Sequence, residues 1–205
     1  MYRVFVFDLG KVIIPFDHSV IAERLIEHSI RKEIYSVEAI NSFLYGANGI
    51  EHLYEEGRIT TSEFINRIKK RLSLEIQDDE FRDIFNSIFF DAYPDVERII
   101  KDIGSKKLPL ILLSNTNEMH FEFIKERYGI IKEFNHFLLS YKVGARKPDR
   151  RIYERLLEIA GCRSEEIFYV DDVADNVKAA KDMNISAYQF ISPEELYYHL
   201  KKFIV

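Results

Sequence analysis

Short uninterrupted apolar runs alternate with amphipathic stretches along most of this chain, and that alternation limits its fold more than any other feature. Residues 4–7, 108–113, 137–140 and 167–170 read as β-strands rich in branched and aromatic side chains, and 187–190 is a weaker fifth. Between and after them, residues 94–103, 117–128, 149–160, 174–183 and 193–203 carry apolar side chains at helical spacing. Strand and helix in alternation build βαβ units and a parallel sheet, and strands with no polar face must be covered on both sides. The expected class is therefore α/β, a Rossmann-like doubly wound parallel sheet.

Residues 17–91 break the rhythm. They contain no convincing strand, but 20–32, 61–72 and 79–88 repeat apolar residues at helical spacing, with Phe64, Ile65 and Ile68 forming one face. The chain thus divides into a core formed by 1–16 and 92–205 and an inserted α-helical cap over 17–91. A length of 205 residues suits one core domain with one inserted module.

Charge and cysteine content narrow the functional classes. A net charge of −5 argues against a nucleic-acid surface, which needs a clustered basic patch, and Lys69-Lys70-Arg71 sits among acids with no interleaved aromatics. The single cysteine, Cys162, forms no intramolecular disulfide and has no local partner for thiol catalysis. The N-terminal apolar run reaches Asp8 too early for a signal-peptide core, and no run nears the length of a membrane span. A cytoplasmic protein with no nucleic-acid or membrane partner is expected, monomeric by default.

In an open α/β sheet, ligands bind at the carboxyl ends of the strands. Asp8, Ser114 and Asp171 each lie at or just past such an end, so residues distant in sequence converge on one edge. A carboxylate such as Asp8 can attack phosphorus and also place an oxygen on Mg²⁺. It can equally end the strand or cap the next element. The Ser114 hydroxyl and nearby backbone N–H groups suit phosphate oxygens at a helix N-terminus, although Asn115 or Thr116 can be a simple N-cap. Pro148 keeps Lys147 extended, where its charge can hold Asp8 ionised; Arg146 is the alternative cation. Adjacent Asp171 and Asp172 repel unless a cation or donor compensates, and a turn with a helix cap is the other reading of the pair.

Taken together and in order, Phe7-Asp8-Leu9-Gly10, Leu113-Ser114-Asn115-Thr116, Arg146-Lys147-Pro148 and Val170-Asp171-Asp172 resemble the four motifs of the haloacid dehalogenase superfamily. The resemblance covers residues 1–14 and 93–205, and the segment from Glu55 to Thr60 looks like cap segments of that group. The form Asp-Leu-Gly-X-Val is similar to the α-glucose-1-phosphate phosphatases and to the phosphatase domain of soluble epoxide hydrolases. The resemblance implies a Mg²⁺-dependent phosphatase acting on a small-molecule phosphate ester, such as a sugar phosphate, through an aspartyl-phosphate on Asp8. It implies that Asp8, Asp171 and the carbonyl of Gly10 hold Mg²⁺, that Ser114, Asn115 and Lys147 hold the phosphate, and that Asp172 stands behind them, orienting Lys147 or a metal-bound water.

One position departs from the pattern. Most phosphatases of this superfamily have Asp where this chain has Gly10, and that Asp serves as general acid and base. Asp17 and His18 are the nearest replacements in sequence, with capping of the first insert helix as their simpler role. Lys11 can contact phosphate or point to solvent. Tyr45, Tyr54 and Arg58 can face the site from the cap or serve the core and surface. Two other functions fit the same motifs: a metal-independent 2-haloacid dehalogenase, which usually lacks the acidic pair, and a non-catalytic protein that binds a phosphorylated ligand or a partner chain.

Overall fold

The computed structural model describes residues 1–204. Its sheet is parallel throughout, in the order β3-β2-β1-β4-β5, with β1 Val4–Phe7, β2 Leu110–Ser114, β3 His136–Leu139, β4 Ile167–Asp171 and β5 Ser186–Gln189. The first strand is central, with every residue apolar and buried; β2 and β4 are buried throughout and apolar up to their last residues, Ser114 and Asp171. Register places Phe7 beside Leu112 on one side and Val170 on the other. The residues that follow these three partners therefore emerge at one level of the sheet edge.

Helices follow the strands. The cap contributes α1 Ser19–Glu27, α2 Val37–Tyr45, α3 Ile50–Glu55, α4 Thr61–Leu72 and α5 Asp78–Asn86. The sheet is flanked by α6 Pro94–Ser105, α7 Glu118–Arg127, the single turn α8 Ser140–Val143, α9 Arg150–Ala160, α10 Ala174–Lys181 and α11 Pro193–Ile204. Local chemistry starts them: Thr60 and Glu63 form a reciprocal capping box on α4, Pro94 opens α6, and Asn117 and Asp149 cap α7 and α9 through their side chains. In α7 the cap is Asn117, not Asn115 or Thr116, which releases those two for other contacts.

Apolar packing falls into three clusters. One face of the sheet packs Phe5, Phe7, Leu112 and Val170 against α6 and α11; the other packs Val4, Val6, Leu113 and Tyr169 against α9 and α10. The third lies under the cap helices, around Leu25, Phe64, Ile68, Phe81 and Phe85. Two chain segments run side by side between the sheet and the cap: Phe16 bridges Phe89, and backbone bonds join Asp17 to Ile88, Phe90 to Pro15 and Tyr93 to Ile13. No helix among the described residues is long and apolar enough to cross a membrane.

The insert differs in detail from its sequence reading. Helix α1 stops at Glu27 instead of continuing to 32, because Ser29 turns the chain: its N–H reaches the Ile26 carbonyl and its hydroxyl donates to that of Leu72. Helices α2 and α3 were not foreseen. They are short and separated by Gly46 and Gly49, so neither shows a full apolar period.

Candidate active site

The level edge of β1, β2 and β4 brings four of the expected groups together. Lys147, 4% exposed, reaches Asp8 Oδ1 at 2.8 Å and Asp171 Oδ2 at 2.6 Å, and also donates to the Leu113 carbonyl at 3.1 Å. Oxygens of Asp8, Asp171 and Asp172 lie within 4.8 Å of one another. Ser114, also buried, lines the same cavity as Gly10 and Asn115.

Electrostatics follow from three carboxylates sharing one ammonium. Burial raises the Asp8 carboxyl to about 7; Lys147 opposes that shift and Asp171 adds to it. Burial also raises Asp172, reinforced by Asp171. Burial alone would lower the Lys147 ammonium, but Asp8 and Asp171 outweigh it and hold the charge. Even with Lys147 charged, the ionised cluster keeps two negative charges in excess.

The oxygens are not equally available. Asp171 is saturated: Oδ1 accepts from the Val173 N–H at 2.8 Å and Asn176 at 3.0 Å, while Oδ2 accepts from Lys147, Tyr169 and Asn176. Asp8 Oδ1 accepts from the Leu9 N–H at 2.7 Å besides Lys147. Among the described residues, Asp8 Oδ2 and the Asp172 carboxylate accept no hydrogen bond from another side chain. The bridge to Ile14 uses the Leu9 carbonyl and the Lys11 N–H, and among the described residues no backbone bond ends on the Gly10 carbonyl. These all-oxygen donors and the surplus negative charge fit a hard divalent cation such as Mg²⁺. Within the acidic pair, Asp171 is the member bonded to Lys147, and the Asp172 carboxylate accepts from no other side chain among the described residues.

Asn115 fixes the loop that carries Lys147. Its side chain donates to the Lys147 carbonyl at 2.9 Å and accepts from the Lys147 N–H at 2.7 Å. Both ends of the amide are consumed in fixing the lysine loop, so only the backbone of Asn115 remains for an anion. The peptide bond between Lys147 and Pro148 is cis. Ser140 braces the neighbouring turn by exchanging bonds with the backbone of Thr116 at 2.9 Å each.

The cavity beyond these residues, about 50 Å³, is walled by the cap through Phe16, His18, Glu51 and Glu55. Phe16 explains Gly10: a Cβ there would lie 2.5 Å from the ring edge of Phe16. The ring of His18 lies between Phe16 at 4.8 Å and Tyr45 at 4.5 Å, and burial lowers its pKa to about 4. Asp17 takes the capping role instead, accepting from the Ser19 N–H at 2.8 Å. Lys11 rests over the Phe16 ring at 5.2 Å. Tyr54 is a core residue bonded to Thr61 and the Met119 N–H, and Arg58 is a surface residue paired with Glu56.

Sequence reasoning missed the clasp between cap and core. Arg146 forms an ion pair with Glu55 at 2.7 Å and donates to His52 Nδ1, whose Nε2–H in turn donates to the Gly46 carbonyl at 2.9 Å. Gly57, at φ +66°, lets the cap turn lie directly against the Tyr141 carbonyl, where a Cβ would collide. Thr61 donates to Glu118 across the same boundary. A wider concavity of about 600 Å³, lined by Phe43, Arg67 and Arg71, includes none of the acidic cluster.

The profile of the haloacid dehalogenase-like hydrolases matches residues 2–184. The chain belongs to that family. Its five-stranded parallel sheet with flanking helices is the fold of the family's solved members. A HAD family enzyme from Bacteroides thetaiotaomicron, crystallised with magnesium and inorganic phosphate, superposes with a TM-score of 0.80 at 26% identity, covering 92% of this chain and 94% of that one. L-2-haloacid dehalogenase from Xanthobacter autotrophicus shares the fold at 19% identity with a TM-score of 0.63, covering 100% and 85%. Among curated relatives, the D-ribitol-5-phosphate phosphatase of B. thetaiotaomicron is 24% identical over 92% of both chains. The drimenol cyclase of Aspergillus calidoustus is also 24% identical, but this hydrolase spans only 35% of its length.

Proposed function

We propose that this hydrolase is a Mg²⁺-dependent phosphatase of small phosphorylated metabolites, working through an aspartyl-phosphate on Asp8. The observation that carries the reading is the arrangement of Asp8: one oxygen is pinned by Lys147 and the Leu9 N–H, the other accepts no hydrogen bond from another side chain among the described residues, and Asp171 and Asp172 place carboxylate oxygens beside it. The relatives crystallised with magnesium and phosphate, or named for a polyol phosphate, support the same chemistry. The acidic pair Asp171-Asp172, which metal-independent dehalogenases usually lack, favours it over dehalogenation.

In this reading Asp8, Asp172 and the Gly10 carbonyl hold the cation, while Asp171 keeps Lys147 in place. Bound Mg²⁺ neutralises the surplus charge of the acids and draws negative charge off the phosphoryl oxygens. Asp8 Oδ2 attacks phosphorus in line. Lys147, the Ser114 hydroxyl and the Asn115 N–H steady the charge that develops on the equatorial oxygens. The cap excludes bulk water during that step. A cavity of about 50 Å³ has room for about four water-sized groups, enough for a phosphoryl group and little more. The clasp at Arg146 must therefore open to admit a leaving group of sugar or polyol size.

The test is phosphate release from a panel of sugar and polyol phosphates, with Mg²⁺ and with EDTA, by wild type and Asp8→Asn. Turnover that needs Mg²⁺ and vanishes in the variant supports the reading. Turnover that persists in EDTA or in Asp8→Asn refutes it.

A further inference from the structure

The side chain that position 10 lacks has no substitute within the sheet domain. Phe16 occupies the space a side chain at 10 would take, so no carboxyl can enter from that direction. The groups facing the cavity can be sorted by what already engages them. His120 has both ring nitrogens committed, Nε2–H donating to the Phe85 carbonyl at 3.2 Å and Nδ1 accepting from Asn117 at 3.1 Å. His18 is sandwiched between two aromatic rings and stays neutral to about pH 4, so it holds no proton to give at neutral pH. Glu55 is spent on Arg146.

Glu51 remains. It sits one helical turn before Glu55 on α3, so both face the cavity. It is only 5% exposed, yet among the described residues it has no hydrogen bond and no ion pair. Arg146, the nearest cation acting on it, is already shared between Glu55 and His52. A buried carboxyl without its own cation keeps its proton, and here burial and the neighbouring Glu55 both push in that direction. The groups around it from other elements, Tyr45 on α2, His18 before α1 and Arg146 before α9, leave that state in place: the Tyr45 hydroxyl is buried without a partner, and the other two are engaged.

We propose that Glu51 is the general acid and base of this active site, supplied by the cap in place of the residue that Gly10 omits. The inference rests on the phosphatase reading. As Asp8 Oδ2 bonds to phosphorus, the bond from phosphorus to the ester oxygen breaks. Its electron pair goes to that oxygen, which takes the Glu51 proton and leaves as an alcohol. The Glu51 carboxylate then accepts a proton from the water that attacks the aspartyl-phosphate, freeing Asp8 and inorganic phosphate and restoring the protonated acid. Because the acid rides on the cap, the cap must lie over the leaving group when the ester bond breaks.

The leaving group tests this. p-Nitrophenolate departs without a proton, whereas phenolate benefits from one. With Mg²⁺, Glu51→Gln should release phenol from phenyl phosphate about 10²-fold or more slowly than wild type. On p-nitrophenyl phosphate it should give a rapid burst of about one p-nitrophenol per enzyme, then slow turnover, because only the water step has lost its base. Glu51→Leu, which puts an apolar group of similar volume in the buried position, should show the same split. An equal slowing of the first turnover on both substrates, or no loss on either, overturns the role of Glu51 while leaving the phosphatase reading standing. Absence of Asp8-dependent turnover by wild type on both substrates removes that reading, and this inference with it.

Discussion

Phe16 should be the whole reason that position 10 tolerates no side chain, and a double-mutant cycle can measure this. The backbone at Gly10 does not need glycine: its φ is not in the left-handed region that Gly57, Gly144 and Gly161 adopt. The obstacle is the Phe16 ring edge, 2.5 Å from where a Cβ would stand. The ring cannot retreat freely, since His18 stacks on it at 4.8 Å and Phe89 meets it edge-on at 6.2 Å. Gly10→Ala alone should therefore cost about 1–3 kcal/mol, the usual penalty of forcing an extra carbon into a packed site. In a Phe16→Ala background the clash is gone, and the same change should stabilise by about 0.4–1 kcal/mol by restricting the unfolded chain. The two effects sum to a coupling of roughly 1.5–4 kcal/mol, well above the few tenths found between independent sites. Urea unfolding of the four proteins, with m-values compared so that only midpoint shifts count, reads it directly. An equal cost of Gly10→Ala in both backgrounds would refute the steric account and point to a backbone requirement.

Two further outcomes follow from the buried groups. His120, neutral in the fold, has its pKa lowered to about 3 by burial. Its contribution to stability is complete above the unfolded value near 6.5 and is lost as pH falls toward 3, at about 1.4 kcal/mol per pH unit. His18 adds a similar slope down to about pH 4, so His120→Gln should remove part, not all, of the acid sensitivity measured by unfolding at stepped pH. For the acids, saturating Mg²⁺ at 100 times its Kd should stabilise wild type by about 2.7 kcal/mol, a rise of several degrees in Tm. Asp172→Asn should lose most of that shift, while Asp171→Asn should keep it on a destabilised baseline; the opposite pattern would return the metal to Asp171.

The sheet was legible in the sequence because its strands are unbroken apolar runs, and all five fall within two residues of where the runs place them. The convergence of Asp8, Ser114 and Asp171 was legible for the same reason: parallel strands deliver their carboxyl ends to one edge. What could not be read was direction. Asp171 and Asp172 are neighbours of identical chemistry, and only the pleat decides that Asp171 shares a face with Tyr169 and turns inward to Lys147. Asn115 looked like a ligand or a cap because its partner, the backbone of Lys147, lies 32 residues away. The placing of Glu51 and Glu55 against the cavity could not be read either, since nothing in so short a helix reveals which side meets the core.

The apolar interior beneath α1–α5 is nearly self-contained: apart from Met119, each of its buried members falls within residues 21–88. The clusters on the two faces of the sheet draw on residues outside that span. Two interiors that share so little can accumulate substitutions separately. A lineage of this chain can reshape the surroundings of the cavity on the cap side, at positions such as His18 or Tyr45, without disturbing the strands that hold Asp8 and Lys147. The strand edge that carries Asp8 and the cap wall that faces it are thereby inherited on different parts of one chain, and the wall can drift while the edge stays fixed.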